Sequence, residues 1–317
     1  MAYPFESMVD RDFSYIVLGG GGFIGTNLCR HLASGGARVR AFSRHFSFPD
    51  PMAGVDLRTG DFGDTDALVA AIDGCDIVYH LVHATPPQPA NANMAGDIKN
   101  NVLPSLALFD LCRKLQVKRI VFLSSGGTVY GRSEILPTPE TAPTDPITAY
   151  GISKLTIEKY LALHEHFHKT DYRVLRVTNP FGPFQTTIKN QGIVAMLIAC
   201  GLRNEPIEIW GDGSAVRDFV YIDDVVDALE LVSRDESDFR VFNIGRGEGH
   251  SLRDLVERIQ RLLGKELNMV WKDARASDVA VSIVSSVRAK EVLGWAPKTT
   301  LDEGLEKTIA WWRGRTR

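Results

Sequence analysis

The 317-residue sequence predicts an α/β fold: a doubly wound parallel sheet with a smaller C-terminal α/β unit. Three observations carry that prediction. Apolar runs alternate with helix-like stretches through the first half of the chain. The runs are continuously apolar rather than alternating, as in strands covered on both faces. The first run ends in glycines and opens an amphipathic helix.

The expected strands are Tyr15–Leu18, Arg38–Phe42, Val55–Gly60, Asp76–Val82, Arg119–Ser124 and Arg173–Thr178. Between them helices are expected around 24–34, 64–72, 97–115 and 150–168. In the first helix Ile24, Leu28 and Leu32 recur at a spacing of four and make one buried stripe. Beyond Thr178 the pattern loosens. Residues 179–218 are rich in Gly, Pro and Asn and carry one expected helix, about 190–203. Residues 222–233 read as a helix and Val241–Ile244 as one more buried strand. The tail, 251–317, is expected to hold two helical stretches ending in Trp311 and Trp312. The division that follows is a nucleotide-binding domain of 1–178 plus 219–246 and a smaller domain of 179–218 plus 247–317. The first residues, MAYPFESMVDRDFS, read as a short tail without the apolar stretch of a signal peptide.

Composition narrows the function. Hydrophobic residues make up 44% and charged residues 24%, with a net charge of -3. That profile is globular and gives no basic surface for nucleic acid. No apolar run reaches the length of roughly 18–20 residues that a membrane span needs. Cys29, Cys75, Cys112 and Cys200 are scattered, with no C-x-x-C pair. Buried thiols in a reducing cytoplasm are expected, with no metal site. His164 and His168 share a helix face, but no H-E-x-x-H motif accompanies them, so a solvated face is expected.

Gly19, Gly22 and Gly25 stand as G-x-x-G-x-x-G between the first strand and the first helix. Glycines there allow a tight turn, a close approach to a pyrophosphate and close helix–sheet packing. The helix N-terminus offers N–H groups to phosphates. With a strand before it and a helix after it, the pattern predicts a dinucleotide site rather than a plain tight turn. The residue ending the next strand reads the adenosine ribose, acidic for NAD and arginine for NADP. Here Ser43 and Arg44 fall at that point and lean toward NADP, unless Arg44 stacks on adenine or faces solvent. Asp61 is a candidate for the adenine edge, with a helix cap as the alternative.

Tyr150 and Lys154 lie four apart at the start of an expected helix, on one face. An ammonium beside a phenol favours the phenolate and brings its pKa toward working pH. Such a tyrosine takes a proton from a sugar hydroxyl while hydride moves to a nicotinamide.

With these residues in place, the chain resembles the extended short-chain dehydrogenase/reductases, and among them the nucleotide-sugar epimerases and dehydratases. GGGGFIG matches that family's cofactor loop, including Phe23 and Ile24. The GDFGD stretch adds Phe62, and HLVHAT matches the fourth-strand motif, with Leu81 and His83. Asn101 falls at the family's helix-four asparagine. SSGGTVYG, with Ser124, YGISK, RVTNPFGP, IWGDGSAVRDFVYIDDVVDAL, FNIG and LGWAPKTTLDEGL complete the likeness over nearly the whole chain. One position departs from the pattern: Gly126 stands where the family carries its catalytic Ser or Thr. Thr128 or Ser125 is the expected replacement. The Asp-Glu pair of the family's 4,6-dehydratases is absent, with Gly127 and Thr128 in its place.

The resemblance further implies a nucleoside-diphosphate sugar. Arg217 and Arg275 fall at the diphosphate positions, Asp278 at the nucleoside ribose and Asn179 at the sugar or phosphate. Thr128 also faces the substrate in this scheme. Ser282 falls beside the sugar's C2 substituent, where a small side chain leaves room for an N-acetyl group. Asp223 and Asp224 read as carboxylates at a helix N-terminus. In the family, the helices near 97–115 and 150–168 pair across a dimer, so a homodimer is implied. The implied reaction is epimerisation at C4 of a UDP-hexose with bound NAD. Two alternatives stay open: an NADP-dependent keto-sugar reductase, and a non-catalytic dinucleotide-binding protein of the same fold.

Overall fold

Fourteen strands and eleven α-helices make up the residues that the computed structural model describes, 9–85, 87–186, 192–273 and 279–315. In chain order they are β1 (Ser14–Leu18), α1 (Phe23–Ser34), β2 (Arg38–Ser43), β3 (Asp56–Thr59), α2 (Thr65–Ile72), β4 (Ile77–His80), α3 (Pro87–Ala92) and α4 (Met94–Asp97). Then come α5 (Leu103–Lys114), β5 (Arg119–Ser125), α6 (Ala149–His168), β6 (Asp171–Val177), β7 (Asn179–Phe181), α7 (Ile193–Arg203), β8 (Ile207–Trp210), β9 (Val216–Arg217) and β10 (Phe219–Tyr221). The chain continues through α8 (Ile222–Ser233), β11 (Val241–Ile244), β12 (His250–Ser251), α9 (Leu252–Leu263), β13 (Met269–Lys272), β14 (Val281–Ser282), α10 (Val287–Leu293) and α11 (Leu301–Arg313).

Seven parallel strands form the main sheet in the order β11-β6-β5-β4-β1-β2-β3. This is the α/β, Rossmann-type doubly wound sheet. The direction of winding reverses between β1 and β4. The loops that follow those two strands therefore part and leave a crevice at their carboxyl ends.

Both faces of the sheet are covered. On one, Leu28 and Leu32 of α1 join Val225 and Leu229 of α8 in an apolar cluster. That cluster continues without a break into Ile198 of α7, Leu255 of α9 and Ile309 of α11. On the other face Leu68, Leu108, Phe109, Ile157 and Leu161 bring in α2, α5 and α6. The remaining strands make three small sheets: β7 with β10, β9 between β12 and β14, and β8 with β13.

Several expected bounds shift. The third strand covers only Asp56–Thr59, all exposed, at the sheet edge. The fourth stops at His80. The helix expected over 97–115 starts earlier, at α4, and passes through a π-helical turn at Ile98–Val102 before α5. The tail holds three helices rather than two. Gly294 ends α10 in the left-handed region, and a capping box between Thr300 and Glu303 then starts α11. Asp223 and Asp224 stand in the first turn of α8, and Asp224 has a second task. It reaches across to accept the backbone N–H groups of Lys298 and Thr299. All four cysteines are free thiols. Among the described residues, no helix is long and apolar enough to cross a membrane.

Candidate active site

The crevice begins at the glycine loop. Gly19 turns the chain at φ +87°, in the region that favours glycine. A Cβ on Gly25 would run into the carbonyl oxygen of Gly19, so α1 starts against the loop itself. Gly22 caps α1 without a side-chain hydrogen bond, and no acidic residue stands in the first turn. The first N–H groups of α1 are thus left for an anion, as a pyrophosphate requires. Phe23 and Ile24 lie half-buried in that first turn. A Cβ on Gly19 would come within 3.3 Å of the Leu81 backbone, so the two loops touch where they leave β1 and β4 and part only beyond that point. Ser43 ends β2, and Arg44 is exposed immediately after it. Exposed Asp61 accepts the N–H of Gly63 at 2.8 Å. The cap of α2 is Asp64, which takes the N–H groups of Asp66 and Ala67, so capping is not the task of Asp61. Phe62 is buried with its ring 5.0 Å from that of His80. These features fit a dinucleotide lying across the crevice.

Asn101 sits in the π-helical turn. Its Oδ1 accepts the N–H of Ala84 at 2.7 Å, and its Nδ2 donates to Asp97 Oδ1 at 2.8 Å. Asn101 therefore pins the loop after β4 to the helix that packs beneath it.

Helix α6 presents the two central residues. Thr148 caps it by accepting the N–H of Gly151, which fixes Tyr150 in the first turn and Lys154 one turn on. Lys154 is buried; its Nζ donates to the Leu123 carbonyl at 2.7 Å and lies 5.8 Å from the Tyr150 ring centre. The pair is brought together, but its electrostatics correct the expectation from spacing. Burial, then the charge of Asp97, pushes the Tyr150 phenol up to about 12. Burial draws Lys154 down to about 7. Desolvation is the largest influence on both groups, so Tyr150 rests as a phenol.

His83 lies against Tyr150, ring centres 4.4 Å apart and edge-on. The hydroxyl question has a steric answer. A Cβ at Gly126 would stand 2.8 Å from the Arg176 carbonyl oxygen and 3.1 Å from Val284, so a Ser or Thr does not fit there. Thr128 lies against Gly151, beside Tyr150, and its Oγ1 is buried with no hydrogen-bond partner. Ser125 is half-buried at the end of β5, where its carbonyl accepts the N–H of Val129. Ser124 is turned elsewhere: its hydroxyl donates to Glu158, which in turn holds Arg176 at 2.6 Å.

At the substrate end, Ser282 and Arg217 are direct register partners on β14 and β9. Ser282 Oγ stands 3.9 Å from a Cβ built on Gly127, so this edge faces the loop after β5. Asn179 Nδ2 donates to the Asp218 carbonyl at 2.9 Å, which ties β7 to β10. Arg275 and Asp278 lie outside the described residues. Two buried carboxylates went unforeseen. Asp218 accepts the N–H groups of Arg246 and Gly247 and joins the small sheets. Asp97 lies beside His83 and Tyr150; its one sequence signal is its place four residues before Asn101, on the same side of a helix.

Comparisons with known proteins give the family. The profile of the NAD dependent epimerase/dehydratase family matches residues 15–245. A UDP-glucose 4-epimerase of Mycolicibacterium smegmatis is 30% identical, covering 95% of this chain and 99% of the relative. A dTDP-4-dehydro-6-deoxyglucose reductase of Escherichia coli is 32% identical over 73% of each chain. The crystal structure of a UDP-glucose 4-epimerase with UDP-glucose from Thermotoga maritima superposes with a TM-score of 0.91 at 34% identity, covering 96% of this chain and all of the other. The glycine loop, the Tyr150–Lys154 pair and this match over most of the chain lead to one conclusion: the protein belongs to the NAD-dependent epimerase/dehydratase family.

Proposed function

We propose that the protein interconverts UDP-hexoses at C4 through a transient 4-keto sugar, with NAD held in the site. One observation carries the reading: Tyr150 and Lys154 stand together on α6 beside the loop bearing Thr128, and Ser282, the register partner of Arg217, lies against that same loop at Gly127. NAD, when bound, supplies a hydride acceptor regenerated in each cycle and a positive charge that favours the phenolate. The N-terminus of α1 holds the pyrophosphate. Tyr150 takes the proton from the sugar O4 and later returns it, and Thr128 shares that proton relay. Lys154 keeps its ammonium toward the phenol. Arg217 holds the substrate diphosphate, with Arg275 and Asp278 assigned to the same ligand by their positions in the sequence. Small Ser282 admits an N-acetyl group.

The test has two parts. Dinucleotide released on denaturation is expected to be NAD. Incubation with UDP-glucose, UDP-galactose or their N-acetylated counterparts is expected to give the C4 isomer on chromatography. Released NAD with no interconversion of any of the four would reject the reading. A second reading is an NADP-dependent keto-sugar reductase. It is favoured by Arg44 at the end of β2 and by a Tyr150 that rests as a phenol, the proton donor a ketone reduction needs. It requires an empty site that binds NADPH and consumes it.

The assembly we infer is a homodimer through α5 and α6. Leu103, Ile152, Leu163 and Phe167 expose large apolar surfaces there, of 47% or more. Free thiols fit a reducing compartment, in our reading the cytoplasm.

A further inference from the structure

Asp97 is 1% exposed, yet no Lys or Arg pairs with it among the described residues. Its partners are Ser153 Oγ at 2.5 Å, Asn101 Nδ2 at 2.8 Å and His83 Nε2 at 3.5 Å. These three come from α6, the π-helical turn and the loop after β4. Ser153 is one residue from Lys154 and three from Tyr150 on the same helix. The π-helical turn that follows Asp97 is a geometry often kept at functional sites. His83 has a side chain 8% exposed, and neither of its ring nitrogens makes a hydrogen bond. A buried imidazole that makes no hydrogen bond calls for an explanation. Its edge-on contact with the Tyr150 ring supplies one.

We infer that His83 and Asp97 form a positioning pair for Tyr150, holding the phenol in place and keeping it protonated until positive charge enters the site. This rests on the reading of Tyr150 as the acid/base. The groups facing the phenol are Lys154 on α6, Asp97 and His83, with Thr128 packed beside the first turn of α6. His80 and Glu158 face the lysine and histidine in turn. Asp97 is an anion: the His83 imidazole beside it and the Ser153 hydroxyl that donates to it hold its carboxyl below the usual range despite burial. A fixed negative charge opposes a second one on the phenol and supports the ammonium of Lys154. Burial holds His83 down at about 4, so it adds no charge of its own. Tyr150 therefore ionises in step with the arrival of a cation and does not lose its proton idly.

The test reads the phenol directly. Tyrosinate absorbance is titrated in the full-length protein and in Asp97→Asn, with Tyr150→Phe subtracted to isolate the signal. Asp97→Asn is expected to lower the Tyr150 midpoint by about half a pH unit or more, and Asp97→Glu to restore it. Ser153→Ala, which detaches Asp97 from α6 and leaves its charge, is expected to keep the midpoint and lower kcat with KM little changed. His83→Leu is expected to lower kcat about tenfold with KM within threefold, as loss of positioning does. A folded Asp97→Asn with an unmoved midpoint overturns the inference, as does His83→Leu with full kcat. Should Asp97→Asn not fold, the Ser153→Ala and His83→Leu kinetics decide. No sugar enters the titration, so it stands even if the proposed substrate is wrong.

Discussion

Thr128 carries a hydroxyl that is buried and makes no hydrogen bond. Leaving such a group unpaired costs roughly 1–3 kcal/mol. Its methyl-for-hydroxyl replacement should therefore be harmless to the fold and harmful to the chemistry, the opposite of an ordinary core mutation. Thr128→Val is expected to melt at or above the wild-type temperature and to lose about 10²-fold in kcat, a typical share for a proton-relay group. Ser125→Ala is expected to do neither. A thermal melt and a turnover assay on the same preparations distinguish the two hydroxyls. Equal kcat in Thr128→Val and wild type would return the relay to Ser125. Gly126 cannot be the site of a simple restoration. Its Cβ position is already claimed by the Arg176 carbonyl and by Val284, so Gly126→Ser must displace backbone.

Strand pairing sets specificity. The two-residue strands β9 and β14 bring Arg217 and Ser282 side by side, and the loop after β5 faces them across the cleft. Filling that gap should act on the sugar and leave the nucleotide alone. Ser282→Tyr is expected to cut turnover of N-acetylated UDP-sugars at least tenfold more than that of plain UDP-hexoses, consistent with the cost of a steric clash in a packed pocket. An unchanged ratio of the two rates would remove Ser282 from the list of specificity residues. How far elements like these can be read from sequence depends on their range. β1, the glycine loop, α1 and α6 were legible because their signals are local: a continuous apolar run, three spaced glycines, a stripe at spacing four. The small strands were not, because Val216–Arg217 forms only by pairing with His250–Ser251 and Val281–Ser282, both more than thirty residues away in the chain. The π-helical turn carries no periodicity distinct from an α-helix, so Asp97 was invisible even though its neighbours His83 and Asn101 were named. The Tyr150–Lys154 pair was legible as chemistry, but its protonation was not, since burial is a property of the whole fold.

At the scale of the whole molecule, a buried active-site lysine makes stability depend on pH in a window of its own. Lys154 has its pKa drawn to about 7 in the folded chain from an ordinary value of 10.5. Between those limits the unfolded chain holds the extra proton, so stability rises as pH increases through the window. The other buried groups of the site titrate outside it. Burial pushes Asp218 up to about 6 and Tyr150 up to about 12, while His83 sits near 4. Comparison with Lys154→Met cancels the surface groups common to both proteins. Urea denaturation from about pH 7 to about pH 10 is expected to show wild-type stability gaining on Lys154→Met by a few kcal/mol. A stability difference that stays flat across this range would mean that Lys154 holds its proton at an ordinary pKa. The ammonium would then face the phenol throughout the working range, and Tyr150 would ionise with no need of added charge.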